Sequence, residues 1–60
     1  KNAAILDTLS IAYAATDNYA EAISTAQKAL KIAISEGNEA LAEQLRQHLT
    51  LFESKRDVQY

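Results

Sequence analysis

TDNYAEAISTAQKALKIA, residues 16–33, opens on three turn-forming residues and passes at once into an alanine-laden run. Thr16, Asp17 and Asn18 carry short polar side chains that compete with a helix for backbone partners, so the stretch predicts a corner. Asp17 or Asn18 is placed to cap the helix that follows, and Glu21 falls in its first turn, where negative charge is favourable. That helix is predicted over 19–35. Its broad apolar stripe is Tyr19, Ile23, Ala26, Leu30 and Ala33 or Ile34. A narrower line of Ala22, Ala26, Ala29 and Ala33 runs beside it, small enough for another helix backbone to come close. Gly37 is the expected stop, because glycine takes the left-handed conformation without steric cost.

On the near side of the corner, the spacing predicts a helix over 2–15 with Asn2 as its N-cap. Leu6, Leu9 and Tyr13 recur at three and four residues and form one large apolar stripe. Ala4, Thr8, Ile11 and Ala15 form a second line out of phase with it. A helix apolar on two faces needs neighbours on both sides. Beyond Gly37, Asn38 caps a third helix predicted over 39–55. Its apolar set is Leu41, Leu45, Leu49 and Phe52, flanked by Ala42 and His48, while Glu39, Glu43, Arg46, Gln47 and Lys55 face outward. This helix has one apolar face and one wet face. The last residues, 57–60, are expected to fray. The fold class is therefore all-α.

Composition bounds what such a chain does. Sixty residues make one small domain at most, burying only about 60% of the surface its unfolded form exposes. Cysteine is absent, which removes disulfides, thiolate metal sites and thiol nucleophiles and fits a reducing, cytoplasmic compartment. Proline is absent and glycine occurs once, which argues against a many-turned all-β fold. No window approaches the roughly 18 consecutive apolar residues of a membrane span, and no leader pattern appears. A formal charge of −2 gives no electrostatic reason to expect nucleic acid or an anionic membrane as partner. Lys28, Lys31, Lys55 and Arg56 lie near helix ends, where cations oppose the negative pole of the helix dipole. The chain begins at Lys1 rather than methionine, and reads as a segment of a longer protein.

From Ala3 to about Glu36 the sequence resembles one tetratricopeptide repeat, a helix–turn–helix unit of about 34 residues with a W-x2-L-G-x2-Y, A-x3-F and P pattern. Leu6 stands at the tryptophan position, Leu9 at the leucine, Ser10 at the small residue and Tyr13 at the tyrosine. Asp17, Asn18 and Tyr19 occupy the turn. Ala22 and Ala29 hold the alanine positions, Ala26 stands where the bulky aromatic belongs, and Ile34 replaces the proline. Continuing the register places Glu43, Gln44 and Gln47 where leucine, a small residue and tyrosine should fall, so the remainder is not a second repeat. The resemblance implies a tetratricopeptide-like hairpin over 3–36 and a capping helix over 37–56, the end of an α-solenoid. The open apolar face of helix one is then where a preceding repeat packs. Since about three repeats are normally needed for stability, the sixty residues alone are expected to be marginal or to self-associate.

Residues that carry chemistry are sparse. One glycine cannot build a phosphate-binding loop. His48 is the single histidine and has no carboxylate on its own helix face, so it reads as a packed boundary residue rather than a metal ligand or base. Glu39 and Glu43 share a face but both look solvated, without the separated environments that an acid–base pair requires. Ser10, Ser24, Thr25, Ser35, Thr50 and Ser54 have no histidine at an activating spacing. Tyr13 and Tyr19 sit where packing aromatics belong, without the basic interleaving of nucleic-acid binders. No catalytic residue, cofactor or metal is expected.

Solenoids bind along the concave surface formed by the first helix of each repeat. The resemblance thus nominates Ala4, Asp7, Thr8, Ile11, Ala14 and Ala15 as a peptide-binding face. Asp7, Ile11 and Ala14 depart from the lysine, arginine and asparagine with which one tetratricopeptide subclass clamps a terminal carboxylate. The face instead suits an apolar helix or extended peptide with a basic residue near Asp7. Two functions are implied: a protein–protein interaction scaffold, or a helical hairpin whose main partner is a second copy of itself.

Overall fold

The computed structural model describes residues 2–57. Three helices follow one another: α1 (Ala3–Ala15), α2 (Tyr19–Ser35) and α3 (Glu39–Asp57). No strand occurs among the described residues. The middle helix α2 carries both others on its flanks, and α1 and α3 meet each other only narrowly.

Local chemistry sets the helix ends. Asn2 caps α1, its side-chain oxygen accepting from the amides of Ala4 at 2.9 Å and Ile5 at 3.4 Å, which satisfies donors that have no partner inside the helix. Asn38 starts α3 in the same way, accepting from Leu41 at 3.2 Å. Asn18 holds the N-cap position of α2 but makes no side-chain capping bond.

Both corners close with one geometry. At the first, the Asn18 amide donates to the Tyr13 carbonyl at 2.9 Å and the Asp17 amide to the Ala14 carbonyl at 3.0 Å. At the second, Asn38 donates to Ala33 at 2.9 Å and Gly37 to Ile34 at 3.0 Å. Each pair closes the last carbonyls of the helix through one residue in the left-handed region. That residue is Gly37 (φ 72°) at the second corner and Asp17 (φ 62°) at the first.

The core differs from the expected stripes. In α1 the fully buried residues are Ala3, Asp7 and Ser10. Leu6 and Tyr13 are half-buried beside them, and Leu9 stays 42% exposed. In α2 the narrow alanine line wins: Ala22, Ala26, Ala29 and Ala33 are completely covered, joined by Ile23 and Thr25, while Ile34 is exposed. Small side chains on both partners let helix axes approach closely, so the interior fills with backbone and methyl groups rather than with leucine. The third helix supplies the bulk, burying Leu45 completely and Phe52 almost so. Ala26, which stands where the repeat pattern has an aromatic, shares its core cluster with Phe52.

The helix α3 runs to Asp57, two residues past the sequence expectation, and so takes in part of the stretch expected to fray. Lys55 and Arg56 lie in its last turn, where positive charge offsets the dipole. The rest of the expected tail, 58–60, lies outside the described residues.

Candidate functional site

Two features stand out from this frame. One is an uncharged outer face on α1, and the other is a polar cluster where α1 meets α3.

Between Ala3 and Ala15 the single charged residue is Asp7, and it is buried. The solvent side of α1 therefore carries no charge. Ala4, Ile5, Thr8, Leu9 and Ala12 line a shallow groove along it. Ile5, Leu9 and Ile11 supply three of the five large apolar side chains left exposed, the others being Ile34 and Leu51. The outer side of α3 is the opposite. Glu39, Glu43, Arg46, Glu53, Lys55 and Arg56 are all exposed on it, and Arg46 approaches Glu43 at 3.5 Å. Such a solvated pair contributes little to stability. Its presence marks a surface built to face water.

The nominated binding residues divide accordingly. Ala4, Thr8, Ile11 and Ala15 are exposed, whereas Ala14 is half-buried and packed against the core. Asp7 does not line an open face, contrary to expectation. It is 5% exposed, and both its carboxylate oxygens are taken by α3. Gln44 Nε2 donates to Oδ2 at 3.2 Å, and His48 Nδ1 lies 2.8 Å from Oδ1. The reason is helical phase: Asp7 shares its face with Ala3 and Ser10, which is the face turned inward.

His48 accordingly has a carboxylate partner after all, brought from another helix. Gln44 and His48 are one turn apart on α3, so a single face presents both donors to one acid. The His48 ring also stacks on Phe52, with centroids 6.0 Å apart and planes inclined by 29°. Ser10, completely buried one turn from Asp7, donates its hydroxyl to the Asp7 carbonyl at 2.7 Å. Among the described residues no buried side-chain polar atom lacks a partner.

A carboxylate bonded to an imidazole is part of a hydrolytic triad, but no hydroxyl nucleophile joins the pair among the described residues. The hydroxyls of Thr8, Ser10, Thr16 and Thr50 all donate to carbonyls of the preceding helical turn. No hydroxyl is bonded to His48 among the described residues. No group of three or more histidine, cysteine, aspartate or glutamate residues converges among them to hold a metal. No helix among them is long and apolar enough to cross a membrane.

The pairing of Asp7 with α3 escapes sequence reading. Gln44 and His48, spaced one turn apart on a helix otherwise apolar on that side, were the one available signal. Comparison with protein-family models, curated proteins and solved structures gives no match to this chain.

Proposed function

We propose that the chain is the terminal part of a tetratricopeptide-type repeat array that serves as a protein–protein interaction scaffold, with α1 and α2 as its last repeat and α3 as its cap. No reaction is assigned to it. The observation that carries this reading is the contrast between the outer faces of the two flanking helices. The α1 face exposes Ile5, Leu9 and Ile11 and carries no charge, whereas the α3 face is charged along its length. A repeat stack must present an apolar side to its neighbour and a polar side to solvent at its capped end. Ser10, Ala22 and Ala29, which match small positions of the repeat pattern, are all completely buried.

The test is to fuse the chain behind two tetratricopeptide repeats of consensus sequence and measure thermal unfolding. Stacking on α1 should raise the melting temperature of the segment, and Ile5→Glu with Leu9→Glu should abolish the gain. If the segment unfolds at the same temperature fused or free, the repeat reading is wrong. The alternative is a self-associating hairpin. It draws on the same face, since two uncharged surfaces meet without repulsion. Sedimentation of the isolated chain separates the two, because a concentration-dependent dimer abolished by Ile5→Glu favours the second copy as main partner.

A further inference from the structure

We infer that the α1 face takes an uncapped helical hairpin whose receiving surface carries an apolar residue where this chain has Asp7. The chain holds its own template for that contact, because α3 docks on the α1–α2 hairpin and α1 is the positional equivalent of α3. Counted from their asparagine caps, the two helices start alike. Ile5 and Leu41 each donate an amide to the cap side chain, and Leu6 and Ala42 each donate to the cap carbonyl. In that register Ile5 of α1 matches Leu41 of α3, Thr8 matches Gln44, Leu9 matches Leu45 and Ala12 matches His48.

On α3 these positions do the docking. Leu45 is completely buried, Leu41 packs against the core, and Gln44 and His48 reach Asp7 at 3.2 and 2.8 Å. On α1 the same positions line the exposed groove. The groove is thus a docking face of the kind that α3 already uses. A second copy of the chain does not offer the matching surface, since its own α3 covers it.

Polarity then defines the occupant. To a carboxyl group 5% exposed, α3 brings two polar side chains. In their places α1 has Thr8, whose hydroxyl is already given to the Ala4 carbonyl at 3.1 Å, and Ala12, which has no polar side-chain atom. A carboxyl group buried without hydrogen-bond partners is costly in either protonation state. A hairpin with an acid at the Asp7 position is therefore a poor match for α1, and one with an apolar residue there fits its uncharged face.

An uncapped hairpin as partner presupposes the stacking role proposed above, and a tandem protein tests its chemistry separately. Residues 1–38 are joined directly to a second 3–60, so that Asn38 of the first unit caps α1 of the second. The second α1 then stands where α3 stood. Urea unfolding is the readout. Asp7→Ala in the first unit should raise the midpoint by on the order of 1 M, the cost of an unpartnered buried polar group divided by the denaturant slope of a small protein. The same change in the unfused chain should lower the midpoint, because there Gln44 and His48 meet the acid. Reciprocally, Thr8→Gln with Ala12→His in the second unit should raise the midpoint of the tandem with Asp7 retained. Both positions are exposed in the unfused chain, so the double change should leave that chain folded. A lower midpoint in both proteins with Asp7→Ala, or no gain from either change in the tandem, would overturn the inference. So would a concentration-dependent dimer of the unfused chain abolished by Ile5→Glu, which makes a second copy the occupant. The consensus fusion presents no first-unit Asp7 to α1, so its result stands by itself.

Discussion

The two halves of this molecule are built alike and finished differently. Each flanking helix packs on α2, each joins it through a corner with the same two closing bonds, and each is set by an asparagine cap at its start. On the first side, the core contribution of α1 is small and polar, and its leucines and isoleucines remain wholly or partly in water. On the second side, α3 buries Leu45 and Phe52, half-buries Leu41 and Leu49, and turns its charges outward. Burying a leucine or phenylalanine side chain stabilises by about 1.5–3 kcal/mol, so of the two flanking helices α3 contributes the larger apolar stabilisation, through Leu45 and Phe52. The large apolar side chains Ile5, Leu9 and Ile11 of α1 are left on its surface.

Leucine truncation probes this difference with the largest expected effect. Leu45→Ala, at a completely buried site, should destabilise by about 2–5 kcal/mol, and in a domain this small that is enough to unfold it. Leu9→Ala, at a site 42% exposed, should cost under ~1 kcal/mol. Urea unfolding of both variants reads the contrast directly. Equal losses would mean that α1 is as fully packed as α3 and has no face left over.

The corners come next. A side chain at Gly37 would meet nothing within 4 Å, so Gly37→Ala isolates the backbone cost of the left-handed conformation, about 1–2 kcal/mol. Asp17 already bears that cost in part (φ 62°), though short polar residues tolerate the conformation better than most. Asp17→Gly should therefore raise the unfolding midpoint by the equivalent of under ~1 kcal/mol. A loss of stability in Asp17→Gly would show that the two corners are not equivalent.

The caps give the smallest effects. Asn2 accepts from two amides and Asn18 from none. Asn2→Ala should cost about 1 kcal/mol, and Asn18→Ala should fall within the roughly 0.5 kcal/mol of an ordinary surface change. Thermal melts of the two variants, run side by side, distinguish a capped helix start from an uncapped one.

Much of the architecture was legible in the residues. The bounds of α2 follow from the corner at 16–18 and from Gly37, because helix starts and stops depend on side chains within one turn. Asn2 and Asn38 act as the caps their positions predict. The alanine line of α2 was legible as a close-contact surface, and all four of its members are completely buried. The inner face of α1 was not. Leucine periodicity favoured Leu6, Leu9 and Tyr13, but the residues of α1 that are buried are Ala3, Asp7 and Ser10, and α2 presents a line of buried alanines. Hydrophobic spacing ranks residues by their own transfer energy. It cannot register that a small residue brings two whole backbones together.

What the sequence determined alone is the set of three helices, their corners and the charged finish of α3, since each depends on neighbours within a few positions along the chain. Only the tertiary structure decided that Asp7 meets Gln44 and His48. Those residues are 37 and 41 positions away, and their meeting depends on how α1 and α3 lie across α2. A buried carboxylate must find donors. The packing of three helices determines which donors are within reach.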